Sequence, residues 1–431
     1  MNRFFQTIRN IWKIKELREK IIFTLTLLLV YRLGSLVPLP GIDPNSLEAL
    51  AAQSEENGLL GLINAFSGGA FANASILALG IMPYISASIV VQLAGLAIPS
   101  IQKMDKEGES GRRKKTQITR FLTIAIVALQ APAYLSNLSA MGVTYLIPAQ
   151  SFYFLSMIVI ISGTIFAMWL GEKITENGIG NGISLLIMIG IIASLPASFA
   201  MEFDSGNSLL TVLIELAGLF IAFMAAIALT QAVRRVPLEY AKRVAGGATQ
   251  RIGRSYLPLK VNASGVMPII FAQALMFIPM TVSPESEWVV NIFRIDGLWY
   301  NVIFFFMILA FTYFYTAIQI NTNQMADDLK RNGGFIPGIK PGHATSMYID
   351  DTLAKITLPG AIFLAVLAIL PGILANTGMQ MQWAQFYGGT SLLIIVGVVL
   401  DTLMQIESYL LNSHYDGLME GGRLRGRNSM S

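Results

Sequence analysis

Ten apolar stretches, at about residues 21–37, 75–98, 118–137, 151–170, 183–201, 209–232, 262–282, 299–320, 355–374 and 387–407, recur along the chain. Each is long enough to cross the roughly 30 Å hydrocarbon layer of a bilayer as a helix. Backbone polar groups in lipid must be satisfied within the chain, so a sequence built this way folds as a polytopic helical membrane protein. The wider composition agrees, with 54% hydrophobic and 13% charged residues and a mean hydropathy of +0.59. No alternating ten-residue pattern suggests a membrane β-barrel. The first run follows a charged amphipathic segment and begins near Ile21, too late and too long for a cleaved leader.

Charge sets the orientation. An even number of spans puts both ends on one side, and 28 of the 30 Lys and Arg residues then fall on that side. Only Arg32, within the first span, and Arg294 are excepted, while Asp43, Glu48, Glu55, Glu56, Glu202, Asp204, Glu285, Glu287 and Asp296 gather opposite. Basic loops stay in the cytoplasm, so both termini are expected to be cytoplasmic. Two basic loops exceed what a tight connection needs. Residues 231–262 combine glycines with short β-prone pieces, suggesting a protruding hairpin, and residues 323–355 contain two Pro-Gly turns around Lys340. Such surfaces suit an anionic partner, whether nucleic-acid phosphate or lipid headgroup.

Within the spans, Pro83, Pro268, Pro359 and Pro371 are expected to bend or break helices. Polar residues accompany the first two: Ser86, Ser88 and Gln92 in span two, and Asn262, Ser264 and Gln273 in or near span seven. Contacts of this kind are worth about 0.6 kcal/mol each, so helices joined by them separate readily. Ionisable groups in the spans are few. Arg32 is expected to snorkel outward, and Arg32 and Asp401 each suit a structural ion pair; with Glu215 they make no embedded relay of the kind a proton-driven pump needs. Cysteine is absent, and His343 and His414 are too few and too distant in sequence for a metal cluster. No phosphate loop or Ser-His arrangement is present, so neither an enzymatic activity nor a cofactor is expected.

Six segments, in order, carry a resemblance. They are "FSGGAFANASILALGIMPYISASIVVQL", "KEGESGRRK", "GEKITENGIGNGISLLI", "VNASGVMPIIFA", "NQMADDLKRNGGFIPGIKPG" and "GGTSLLIIVGVVLD". From about residue 10 to 427 the chain resembles the SecY family, the channel subunits of the bacterial Sec protein translocase. The resemblance implies an all-α protein of ten transmembrane helices in two pseudosymmetric halves around a central hourglass pore. On that expectation residues 1–20 are an amphipathic cytoplasmic segment, 21–203 the first half, 204–408 the second half, and 409–431 a cytoplasmic tail.

The resemblance also implies roles. Residues about 59–74, including Ser67, Gly68, Gly69, Ala70, Phe71, Ala72 and Asn73, would be a plug sealing the external half of the channel. Ile81, Ile85, Ile187, Ile270 and Ile394 would form the pore ring, with Ile183 and Ile189 as alternatives to Ile187. A branched apolar ring disfavours continuous water and ions while offering an extended polypeptide no fixed partner. Ser86, Gln92 and Asn262 would hold a lateral gate between spans two and seven. Arg251, Arg254 and Lys340 would dock the SecA motor ATPase or the ribosome and its RNA; the family usually has arginine where this chain has Lys340. Further implied partners are SecE-like and SecG-like subunits, signal peptides, nascent polypeptides and lipid, in a bacterial inner membrane. Competing expectations are an ion-coupled small-molecule transporter and a pore-less insertion scaffold.

Overall fold

A computed structural model describes residues 14–43, 67–204, 208–240, 255–282 and 297–421, together with the single positions 12, 46, 64 and 292. Its helices are α1 (Lys15–Gly34), α2 (Met82–Ala97), α3 (Pro99–Lys106), α4 (Glu109–Ala140), α5 (Ala149–Asn177), α6 (Gly182–Asp204), α7 (Leu209–Gln231), α8 (Met267–Val282), α9 (Leu298–Gln319), α10 (Thr322–Arg331), α11 (His343–Ala375), α12 (Met381–Ala384) and α13 (Gly389–Gly421). Three short strands, β1 (Val233–Tyr240), β2 (Ser255–Lys260) and β3 (Gly334–Phe335), form one antiparallel sheet in the order β2-β1-β3.

Seven of these helices, α4, α5, α6, α7, α9, α11 and α13, are long and apolar enough to cross a membrane. The protein is therefore an all-α polytopic membrane protein with one small sheet outside the spans. At 16 residues each, α2 and α8 are shorter than a full crossing, and α1 begins with the charged run Lys15, Glu16, Arg18, Glu19 and Lys20. Large apolar side chains face outward, with Phe121 74%, Leu129 78% and Phe154 71% exposed. Lipid is the solvent in which such a surface is stable.

The chain divides into two compact units, one comprising Met1–Pro196 with Val398–Ser431 and the other Ala197–Gly397. In the first, α4 packs on α2 and α5, and α5 on α1. Glycines permit these approaches. A Cβ on Gly182 would lie 2.0 Å from the Gly171 carbonyl oxygen, so α5 and α6 meet backbone to backbone where the "GEKITENGIGNG" run turns. Asn181 Oδ1 accepts from the amides of Ile183 and Ser184 at 3.1 and 3.3 Å, satisfying orphan donors at the start of α6. The turn is pinned from two further sides, the Ile179 amide donating to Thr24 Oγ1 at 3.0 Å and the Gly180 amide to Gln405 Oε1 at 2.9 Å.

In the second unit, α9 lies along α11. The latter runs as one helix through Pro359 and Pro371, so neither proline breaks span nine as the sequence suggested. The two long basic loops form one body. Strand β1 pairs with β2 from Val233↔Lys260 to Leu238↔Ser255, and its far end pairs with β3 at Glu239↔Phe335. Val236, Leu238 and Leu259 from the hairpin share a buried core with Ile336, Ile349 and Leu353. The hairpin foreseen for the first loop is present in its two strands.

Candidate functional site

From Gly68 to Gly80 the chain leading into α2 is not helical. Gly68, Gly69 and Gly80 take φ of 67°, 87° and 51°, and Ala74 takes 41°, a left-handed conformation that side chains rarely adopt. The segment is nonetheless tightly bonded. Gly69 and Asn73 amides donate to the carbonyls of Asn64 and Gly69 at 2.9 and 3.0 Å, the Ala72 amide to Asn64 Oδ1 at 3.0 Å, and the Phe71 amide to Ser67 Oγ at 3.1 Å. These bonds close a compact turn. Ser67, Gly68, Ala70, Phe71 and Ala72 are buried, and Gly69 and Asn73 half-buried; the rest of the stretch 59–74, apart from Asn64 and Ala74, lies outside the described residues.

The turn is held against the first unit's helices. Tyr134 on α4 donates its hydroxyl proton to the Phe71 carbonyl at 3.0 Å and sets its ring edge-on to Phe71 with centroids 4.9 Å apart. Arg32 on α1 donates from Nη1 to the Gly68 carbonyl and to Ser35 Oγ. Among the described residues, then, Arg32 bonds a carbonyl and a hydroxyl rather than a carboxylate. Past the turn the chain runs beside residues 37–39, with Leu39 N donating to Ala74 O at 2.8 Å and Ile76 N to Val37 O at 2.9 Å.

Both prolines expected to bend spans two and seven instead start helices. Pro83 is the second residue of α2 and Pro268 the second of α8. There the missing amide costs nothing, because the first helical donors have no intrahelical acceptor. Gly80, at φ 51°, and Gly265, at φ 62°, precede them by three positions. Sequence reasoning missed the signal that was present, namely the repeat of Gly-x-Met-Pro-x-Ile in "GIMPYI" and "GVMPII".

Ile81 caps α2, and the Ile85 amide donates to its carbonyl at 3.1 Å, so the two side chains lie one turn apart on one face. Ile81 and Ile187 are buried and Ile85 half-buried in the first unit; in the second, Ile394 is buried and Ile270 half-buried. Ile183 lies in the α5–α6 seam, its Cγ1 2.9 Å from where a Cβ on Gly171 would stand. The repeat also puts Val266 in register with Ile81, a position the sequence reading passed over. Ser86 Oγ donates to its own helix at Met82 O (3.2 Å), Gln92 Nε2 lies 3.4 Å from Ser88 Oγ, and Asn262 Oδ1 accepts from Ser264 Oγ at 3.2 Å in the turn before α8.

At the basic surface, Lys340 is exposed between two turns whose Gly338 and Gly342 have φ of 81° and 103°. Its carbonyl accepts from Thr345 Oγ1 at 3.0 Å, fixing the turn over the start of α11. Arg234, Arg235 and Lys260 are exposed on β1 and β2. Arg251 and Arg254 lie outside the described residues. Arg120 on α4 grips Glu172 near the end of α5 with two bonds of 2.9 and 2.6 Å.

Glu202, expected among the acidic loops, is fully buried at the end of α6, where its Oε2 accepts from the Gln380 amide at 2.8 Å. Glu215 is buried nearby in the second unit, its carbonyl accepting from Tyr387 Oη at 2.6 Å. No group of three or more His, Cys, Asp or Glu side chains suited to a metal occurs among the described residues.

The model of the SecY family matches residues 75–403 of the chain. The chain belongs to the SecY family. Among SecY relatives, a protein translocase subunit SecY from Bacillus licheniformis is 42% identical, with 96% of this chain and all of the relative covered. The fold is shared by solved structures of low identity. One, of a SecY protein whose plug domain is described as stabilising the closed state and maintaining a membrane seal, aligns at a TM-score of 0.62 and 18% identity over 90% of this chain and 91% of that one. Another, Sec61 in the canine ribosome–channel complex from the endoplasmic reticulum, aligns at 0.59 and 17% with the same coverage.

Proposed function

We propose that this SecY-family chain is a protein-conducting channel, passing unfolded secretory polypeptides across the bacterial cytoplasmic membrane and releasing apolar segments sideways into lipid. The match of nearly the whole chain to a SecY translocase subunit carries the reading. In it, ten spans form two pseudosymmetric halves, residues 21–203 and 204–408, around an hourglass pore, with both termini cytoplasmic. The repeated "GIMPYI" and "GVMPII" turns support the pseudosymmetry, since each half supplies one helix begun in the same way. Spans one, two and seven are then α1, α2 and α8, the last two completed by the non-helical residues before them.

Ile81, Ile85, Ile187, Ile270 and Ile394 form the constriction. Apolar side chains there leave a narrow passage unfavourable to water and ions, and close around a moving chain without binding it. Residues 59–74 form the plug. Ser86, Gln92 and Asn262 hold spans two and seven until a signal sequence enters between them. Because polar contacts between membrane helices are individually weak, a substrate needs only a modest preference for the open gate to shift the population. The basic body built from β1–β3 and Lys340, with Arg251 and Arg254, receives the SecA motor or the ribosome. Small SecE-like and SecG-like subunits clamp and flank the halves. The chain performs no chemistry, and the driving energy comes from the motor or from translation.

The test is translocation in vesicles. Proteoliposomes containing the chain with its co-purifying subunits and a motor ATPase should protect an added secretory precursor from external protease; absence of protection with an active motor would overturn the reading.

A further inference from the structure

We propose that Arg32 and Tyr134 are a two-point latch that holds residues 67–74 in their seat by grasping backbone carbonyls. The proposal deepens, and rests on, the reading of this segment as the plug.

The turn's bonds fall into two classes. Those among Asn64, Ser67, Gly69, Phe71, Ala72 and Asn73 lie within the proposed plug, residues 59–74, and travel with it. Among the described residues, those reaching out of it are few. Leu39 N to Ala74 O lies at the segment's end, where Ala74 adopts its left-handed φ of 41° and the chain passes on to Ser75. Ahead of that point, among the described residues, Arg32 to Gly68 O and Tyr134 to Phe71 O are the bonds that tie the turn to helices. Moving the turn as a body about Ala74 preserves the first class and breaks these two.

Both acceptors are main-chain carbonyls, so the latch does not depend on which side chains the segment carries. From Asn57 to Gln102 the sequence has no acidic or basic residue. The dipoles of the turn's carbonyls are therefore what a cation on α1 can hold. A charge-assisted bond is roughly twice as strong as a neutral one. Arg32 is accordingly the stronger point and Tyr134 the weaker, the latter adding the edge-on contact with Phe71. A latch of this kind is firm in the resting protein and yields to a polypeptide that displaces the turn, with no covalent or ionic partner to break.

The absence of native cysteine makes the test direct. Ala72→Cys is introduced into the full-length chain, purified with its co-purifying subunits and reconstituted, and its modification by a membrane-impermeant thiol reagent from the external side is timed. Arg32→Gln should accelerate labelling about tenfold and Tyr134→Phe a few-fold, the ranges expected for losing a charged and a neutral hydrogen bond. Arg32→Lys, which keeps a cationic donor, should restore most of the protection. Ion leak through planar bilayers is recorded in parallel. Faster labelling with greater leak supports both the latch and the plug. Faster labelling without leak supports the latch and overturns the plug reading. Labelling unchanged in both Arg32→Gln and Tyr134→Phe, while Gly68→Ala accelerates it, overturns the latch.

Discussion

Gly68 is seated so closely on Gly190 that a Cβ added to it would stand 2.7 Å from the Gly190 Cα. The left-handed backbone of Gly68 adds strain for any side chain, at about 1–2 kcal/mol. Gly68→Ala should therefore loosen residues 67–74, chiefly against Gly190, its Cβ also standing 3.3 Å from Arg32 Nη1 and so crowding that latch residue. Faster labelling of Ala72→Cys in this background is the expected result.

Gly163 on α5 makes a second close approach. A Cβ there would lie 2.0 Å from the Ile76 carbonyl oxygen, on the non-helical stretch that leads to α2. Relief requires a shift of main chain rather than of a side chain, so Gly163→Ala should destabilise the protein by about 1–3 kcal/mol. Thermal unfolding in detergent reads the change, and a midpoint equal to that of the unsubstituted chain would contradict it.

The sequence made the membrane class legible because an apolar solvent leaves the backbone few options, and helical runs advertise themselves. Prolines were harder. Their effect depends on position within a helix, and Pro83 and Pro268 read as breaks until Gly80 and Gly265 place the helix starts beside them. The partner of Arg32 had no signature, because the acceptor is a main-chain carbonyl. The joining of the two basic loops was equally hidden, since β3 has two residues and no periodicity. Ile81, Ile187 and Ile394 were singled out by resemblance alone; isoleucine in a membrane helix ordinarily just packs.

Ile349 tests the joined body. It is fully buried beneath the sheet, in the core shared by both loops. Ile349→Ala should cost about 2–5 kcal/mol locally and expose the hairpin 231–262 as well as residues 323–342 to protease. Cleavage confined to the second loop would show that the two do not depend on one core.

Lys340 keeps the charge of the arginine usual in the family but not its planar fork. Lys340→Glu should weaken association with the motor ATPase most at low ionic strength, the difference shrinking as salt screens exposed charges. Lys340→Arg should leave association equal or stronger. An effect of Lys340→Glu that is independent of salt would remove electrostatic docking from its role.

The proposed channel predicts a polypeptide path past Ile81, Ile270 and Ile394. Single cysteines at Ile81, Ile270 and Ile394, in the cysteine-free chain, should each crosslink to a secretory polypeptide arrested midway through reconstituted vesicles. Crosslinks from all three, and none from the outward-facing Leu129 position, are the predicted result. In an active preparation, crosslinks at Leu129 and none at the three isoleucines would contradict a central channel.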